Sequence, residues 1–125
     1  EMSASLVGSE MCIRDRNIIS SYDKIPTLIF DEIDNGISGI TASIVGKKLK
    51  EISNSHQVIC ITHLPQIAAA GDHNYRIYKE SDESSTYTSV EALDEEKKVE
   101  EIARLLGGTV ITQTTLKSAR ELIEG

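Results

Sequence analysis

The chain has 125 residues, enough for one domain or part of one, and its formal net charge of −7 gives it no general attraction for a phosphate backbone. Hydrophobic residues make up 39%, with no tryptophan and one phenylalanine, so the core must be modest and built from isoleucine, leucine, valine and alanine. No apolar run approaches the ~18 residues of a membrane span, and no secretory signal pattern is present.

Residues 1–16 fit none of the elements read here and are set aside as a non-native or disordered arm. Residues 17–24 read as the end of a helix and a polar turn, and Pro26 marks the start of a strand. That strand, Thr27-Leu28-Ile29-Phe30, runs straight into Asp31 and Glu32. A continuous apolar run bounded by polar residues is the pattern of a strand buried on both faces. Residues 33–39 form a turn-rich connector, with Ser38 placed as an N-cap. Helical spacing follows in Thr41, Val45, Leu49 and Ile52, ending at residues 53–55. A second strand, residues 57–62, leads into His63, Leu64 and Pro65. Strand, helix, strand in this length predicts a right-handed parallel crossover.

Pro65 suits the first turn of a short helix over residues 66–70, which Gly71 ends. Residues 74–80 and 86–93 read as the two strands of a hairpin around a polar turn. Tyr75, Tyr78 and Tyr87 in it are assigned to packing, because neighbouring acids disfavour a base-stacking platform. From Asp94 the pattern is helical, with Val99, Ile102, Ala103 and Leu106 on one stripe and a stop at Gly107-Gly108. A last helix over residues 115–124 carries Leu116, Ala119, Leu122 and Ile123. The basic clusters Lys47, Lys48, Lys50 and Lys97, Lys98 read as solvated helix faces. Cys12 and Cys60 form no metal spacing, and Cys60 reads as a buried strand residue in a reducing compartment.

Parallel strands put their carboxyl ends on one sheet edge, where ligands of α/β proteins bind, so Asp31, Glu32 and His63 are expected to converge. In a strand ending Asp-Glu, the first acid can hold Mg²⁺ and the second can orient or deprotonate a water. Taken alone, the pair can equally be two solvated acids at a strand end, and His63 a surface or capping residue.

The runs IPTLIFDEIDNGISG, HQVICITHLPQIAAAGDHNYRIYKE and VEEIARLLGGTVITQTTLKSARELI closely resemble the carboxy-terminal end of the RecN family of bacterial DNA repair proteins. These are SMC-like ATPases with an ABC-class head, and the resemblance covers about residues 17–125. It implies an α/β fold: an incomplete P-loop NTPase head of the ABC/SMC type, with a mostly parallel sheet, flanking helices and a β-hairpin. On this resemblance LIFDE is the Walker B strand, with Asp31 on Mg²⁺ and Glu32 as the base that activates water. Asn35, Gly36, Ile37 and Ser38 correspond to the D-loop, which crosses the head dimer interface, and His63 to the switch histidine that senses the γ-phosphate. Cofactors implied for the complete head are ATP and Mg²⁺. Implied partners are a second head, as a homodimer, and DNA through the complete protein; no membrane is implied, and the setting is the bacterial cytoplasm, at the nucleoid. The implied function is ATP-driven head engagement in recombinational repair of DNA double-strand breaks. Residues 1–16 depart from the family, which carries an ABC signature and a long apolar helix before the Walker B strand.

Two alternatives stay open. One is another ABC or SMC-class head, from a transporter subunit or a condensation protein; THLPQIAAAGD and TVITQTTLKSARELI resemble RecN and not transporters. The other is a non-catalytic interaction module in which the acids and His63 are structural. No G-x-x-x-x-G-K-S/T occurs in the 125 residues, so no loop here cradles the β- and γ-phosphates, and Gly107-Gly108 follows a helix without that motif. The 125-residue chain is therefore expected to be inactive alone. Titration calorimetry with Mg-ATP is expected to show no submicromolar binding, and such binding would mean that the nucleotide site is misplaced.

Overall fold

A computed structural model describes residues 25–33, 35–82 and 85–125. The expected arm at residues 1–16 and the helix end at 17–24 lie outside them. The described residues divide into two compact units, those up to residue 70 and those from residue 71 on.

In the first unit, β1 (Thr27–Asp31) and β2 (Gln57–Ile61) pair in parallel, with Thr27 opposite Gln57 and Asp31 opposite Ile61. The connection between them is helix α1 (Gly39–Ser53), and the short helix α2 (Pro65–Ala70) follows β2. Ala42, Val45, Leu49 and Ile52 recur at helical spacing and form the buried face of α1. They pack with Leu28 and Phe30 of β1 and Ile67 of α2 in one cluster. Val58, Cys60 and Leu64 lie half-buried against it. The expected crossover is therefore present, with helix and strand ends within two residues of their expected positions.

Burial of β1 on both faces is not observed. Leu28 and Phe30 are buried, but Ile29 on the opposite face is 57% exposed, beside Ile59 and Ile61 of β2, also exposed. The reason is layering: α1 and α2 contribute their buried residues to the cluster with Leu28 and Phe30, so only that face of the strand pair is packed.

The helices α1 and α2 approach closely because α1 carries glycine where they meet. A Cβ built on Gly46 would lie 3.2 Å from the Gln66 carbonyl oxygen and 3.3 Å from the Ala70 Cβ. A Cβ on Gly39, seven residues earlier, would lie 3.2 Å from Gln66 Nε2.

The second unit contains the hairpin β3 (Tyr75–Asp82) and β4 (Ser85–Ala92), then helices α3 (Glu95–Gly107) and α4 (Gln113–Glu124). The strands are antiparallel, with Tyr75 opposite Ala92 and Asp82 opposite Ser85. They extend further into the turn than the expected 81–85, because Ser81 and Asp82 pair with Thr86 and Ser85. Asp94 caps α3, its carboxylate accepting from the Lys97 N–H at 2.8 Å. Thr112 and Thr115 form a reciprocal capping box that starts α4 earlier than the expected residue 115. Ile102 and Ala103 of α3 and Ala119 of α4 are buried.

Two readings of this unit change. Lys98 is 8% exposed, not solvated, and its ammonium donates to the Gly71 carbonyl at 2.8 Å; its long stem lets the charge reach that oxygen from a buried position. Tyr75 and Tyr87 are exposed, so they do not serve packing among the described residues. Tyr78 is half-buried, with the Arg76 guanidinium 5.4 Å from its ring centroid. No described helix is long and apolar enough to cross a membrane.

Single-sided burial of β1 gives a paired test by urea unfolding of the 125-residue chain. Phe30→Ala should cost about 3–5 kcal/mol by emptying the packed face. Ile29→Thr on the open face should change stability by no more than about 0.5 kcal/mol.

Candidate functional site at the carboxyl edge of the parallel strands

The register brings the candidate residues to one edge. Asp31 is the last residue of β1 and faces Ile61, the last of β2. Glu32 extends the ladder by one bond, its N–H donating to the Ile61 carbonyl at 3.2 Å. His63 leaves the same end of β2 two residues beyond Ile61. Asp31, Glu32 and His63 are all exposed. The Thr62 hydroxyl accepts from the Leu64 N–H at 3.0 Å, which turns the chain into α2 directly after His63.

Glu32 has an unusual backbone. Its φ is +47°, and it is the one non-glycine residue with positive φ among the described residues. Left-handed backbone is costly for a residue with a long side chain, and such strain clusters at functional sites, where the surrounding structure over-determines it. Here the ladder bond to Ile61 holds the residue from one side. The connector holds it from the other, with Ile33 and Ile37 packed on the core cluster. Gly36 also has positive φ, +79°, a conformation open to glycine at no steric cost.

Asn35, Gly36 and Ser38 of the connector are exposed and Ile37 is half-buried, while Asp34 lies outside the described residues. Ser38 occupies the N-cap position of α1 as expected, but its side chain caps no backbone N–H. Its hydroxyl lies 3.3 Å from the Thr41 hydroxyl instead.

Among the described residues no group of three or more His, Cys, Asp or Glu side chains could hold a metal ion. The exposed Asp31 carboxylate at this edge is a hard oxygen donor of the kind Mg²⁺ takes.

Sequence reasoning missed two features. In the second unit a cavity of about 240 Å³ is lined by Arg76, Glu91, Leu93, Lys97, Glu100 and Glu101. Ion pairs cross it, from Lys97 to Glu91 and from Arg76 to Glu101, the latter at 3.6 Å. The hydrogen bond that Lys97 donates to Glu91, and then the Glu91 charge, raise the Lys97 pKa above its ordinary value. These pairs tie the hairpin to α3 and leave the cavity lining close to charge balance. In the first unit, Gln66 of α2 carries a buried side-chain oxygen, Oε1, without a hydrogen-bond partner among the described residues. Its signal in the sequence was only a polar residue within an otherwise apolar short helix.

No family model matches the chain. Curated proteins do. The chain is 45% identical over 115 residues to the DNA repair protein RecN of Vibrio cholerae, covering 92% of this chain and 21% of that protein. It is 47% identical over 107 residues to RecN of Haemophilus influenzae, covering 86% and 19%. Against RecN of Bacillus subtilis it is 39% identical over 116 residues, covering 93% and 20%. The chain is a RecN-like segment. It spans about a fifth of the length of the RecN proteins it matches. A solved structure from work on ATP-driven dimerization and DNA-stimulated activation of SMC ATPases aligns with a TM-score of 0.55, over 74% of this chain and 55% of that one. At 22% identity that likeness concerns the fold alone: the RecN-like segment shares an α/β arrangement with that structure.

The strain at Glu32 is measurable without any ligand. Glu32→Asn keeps a polar side chain but tolerates the left-handed backbone, and should raise the stability of the chain by about 1 kcal/mol. Thermal or urea unfolding reads this, and a loss of stability would mean that Glu32 makes contacts that outweigh its backbone cost.

Proposed function

We propose that this RecN-like segment is the catalytic carboxy-terminal part of an ATPase head that acts in DNA double-strand-break repair. In this reading, Asp31 supports Mg²⁺, Glu32 is the general base and His63 contacts the terminal phosphate. Asn35, Gly36, Ile37 and Ser38 meet a second head of the same protein in a homodimer, and DNA is engaged through the complete protein in the bacterial cytoplasm, at the nucleoid. The observation that carries the reading is the strand register, which puts Asp31, Glu32 and the His63 segment on one edge with Glu32 held in a strained backbone.

Each role follows from the chemistry of its residue. Asp31 ends the strand as an exposed carboxylate, the hard oxygen donor that Mg²⁺ prefers. When bound, the metal neutralises charge on the phosphate oxygens. Glu32, one residue on, follows the turn in the backbone rather than the strand's alternation, and its carboxylate accepts a proton from water. His63 offers ring nitrogens as hydrogen-bond donors at the same edge. A ring N–H of the imidazole distinguishes a terminal phosphate by the presence or absence of acceptor oxygens. The remaining phosphate contacts come from other parts of the intact protein.

The test is a full-length RecN whose carboxy-terminal segment is this one. Asp31→Ala should lower both nucleotide affinity and turnover, because it removes a Mg²⁺-supporting carboxylate. Glu32→Gln should lower turnover by roughly 10²–10⁴-fold with ATP binding retained, so engaged heads accumulate. His63→Ala should slow hydrolysis while leaving binding measurable. ATP affinity, turnover and ATP-dependent dimerisation are measured for all three, and parental turnover in Glu32→Gln sinks the catalytic assignment.

A further inference from the structure

The outward face of α1 changes character along its length. At about 100° per residue, Ile40, Ile44, Lys47 and Glu51 fall on the side away from the buried Ala42, Val45, Leu49 and Ile52. The second half of that side is ordinary solvated surface: Lys47, Lys48 and Glu51 are exposed, and Lys48 pairs with Glu51 at 2.6 Å. The first half is apolar. Ile40 is 81% exposed, more than any other large apolar side chain among the described residues, and Ile44, one turn on, is 50% exposed. A helix turn that is apolar on opposite sides suits a place between two packed surfaces, and the core cluster supplies only one of them.

Position points to what supplies the other. Ile40 follows Ser38 by two residues, so the isoleucine pair adjoins the exposed Asn35, Gly36 and Ser38. That connector is the segment assigned above to contact with a second head. A two-fold dimer presents the same patch from both copies, so the patch must be complementary to itself. An apolar pair meets that condition, whereas the exposed ammoniums of Lys47 and Lys48 would meet like charges on their own copies. Two side chains cover far less than the ~800 Å² per partner of a stable interface, so this patch adds to a contact that bound nucleotide completes.

We propose that Ile40 and Ile44 extend the head contact of the 35–38 connector, packing against the same two residues of a second copy of this chain when nucleotide is bound. The footprint ends between Ile44 and Lys47, where the outward face of α1 turns charged. The inference rests on the ATPase reading above and adds the surface of α1 that closes the dimer.

The experiment uses the same full-length RecN carrying this segment, in the Glu32→Gln background that holds engaged heads. Melting temperature without nucleotide, ATP affinity and ATP-dependent dimerisation by sedimentation velocity are measured for each variant. Ile40→Glu puts like charges into the patch and should raise the dimer dissociation constant in Mg-ATP by about tenfold or more. Its ATP affinity and melting temperature should match those of the parent. Ile40→Lys should behave in the same way, and an equal mixture of the Ile40→Glu and Ile40→Lys chains should recover most of the lost affinity. Ile44→Gln, uncharged and favourable in a helix, is the second variant and should weaken the dimer in the same direction. Parental dimerisation in Ile40→Glu and Ile44→Gln overturns the proposal, as does a mixture no tighter than either charged chain alone. A fall in melting temperature in both variants also overturns it, because another part of the same chain then covers the patch. Loss of ATP-dependent dimerisation in the background protein itself rejects the ATPase reading, whereas dimerisation that persists there and in the isoleucine variants rejects the patch alone.

Discussion

Everything at the candidate site depends on the parallel pairing of β1 with β2, one ladder of short strands whose register is set at both ends. At one end the Gln57 N–H donates to the Pro26 carbonyl at 2.8 Å, and at the other the Glu32 N–H donates to the Ile61 carbonyl at 3.2 Å. Because side chains alternate along a strand, a slip of one residue would exchange Leu28 and Phe30 for Ile29 on the packed face and carry Asp31 off its position. The core cluster therefore selects the register, and the register delivers the acids. Packing and chemistry are linked through one ladder.

The two carboxylates meet different constraints although they adjoin in sequence. Asp31 is the last residue of a regular strand, and its side chain leaves the sheet as the pleat dictates. Glu32 has left the strand's backbone region altogether, held between a ladder bond and a connector anchored by Ile33 and Ile37. Adjacent acids in one continuous strand would point to opposite faces. A turn in the backbone at the second acid removes that rule.

The crossover was legible because α1 repeats its apolar residues at helical spacing and both strands end in residues that break their own pattern. The edge carrying Asp31, Glu32 and His63 followed from that topology alone. Burial of β1 was misjudged because an unbroken apolar run reports that both faces can be covered, not that a given stretch of chain covers them. Lys98 was misread because a lysine pattern carries charge but not reach: only the position of the Gly71 carbonyl shows where its ammonium ends. Gln66 and the backbone of Glu32 were invisible for a related reason. Whether an amide oxygen finds a donor, or a backbone turns left-handed, is decided by residues distant in the chain, and no local pattern encodes it.

The glycines of α1 also constrain how the segment can vary. Gly39 and Gly46 are seven residues apart, nearly two full turns, so they lie on one side of the helix with a drift of only about 20°. Both must face α2, one against the Gln66 side chain and the other against its backbone. Inserting or deleting one residue between them would swing the second by about 100° and put a side chain into the contact. The length of this stretch is thus fixed by phase, while residues 54–56 between α1 and β2 carry no such requirement. Variation in length should accumulate after α1 and be excluded from within it, making the helix a spacer of set angle between the connector and the core.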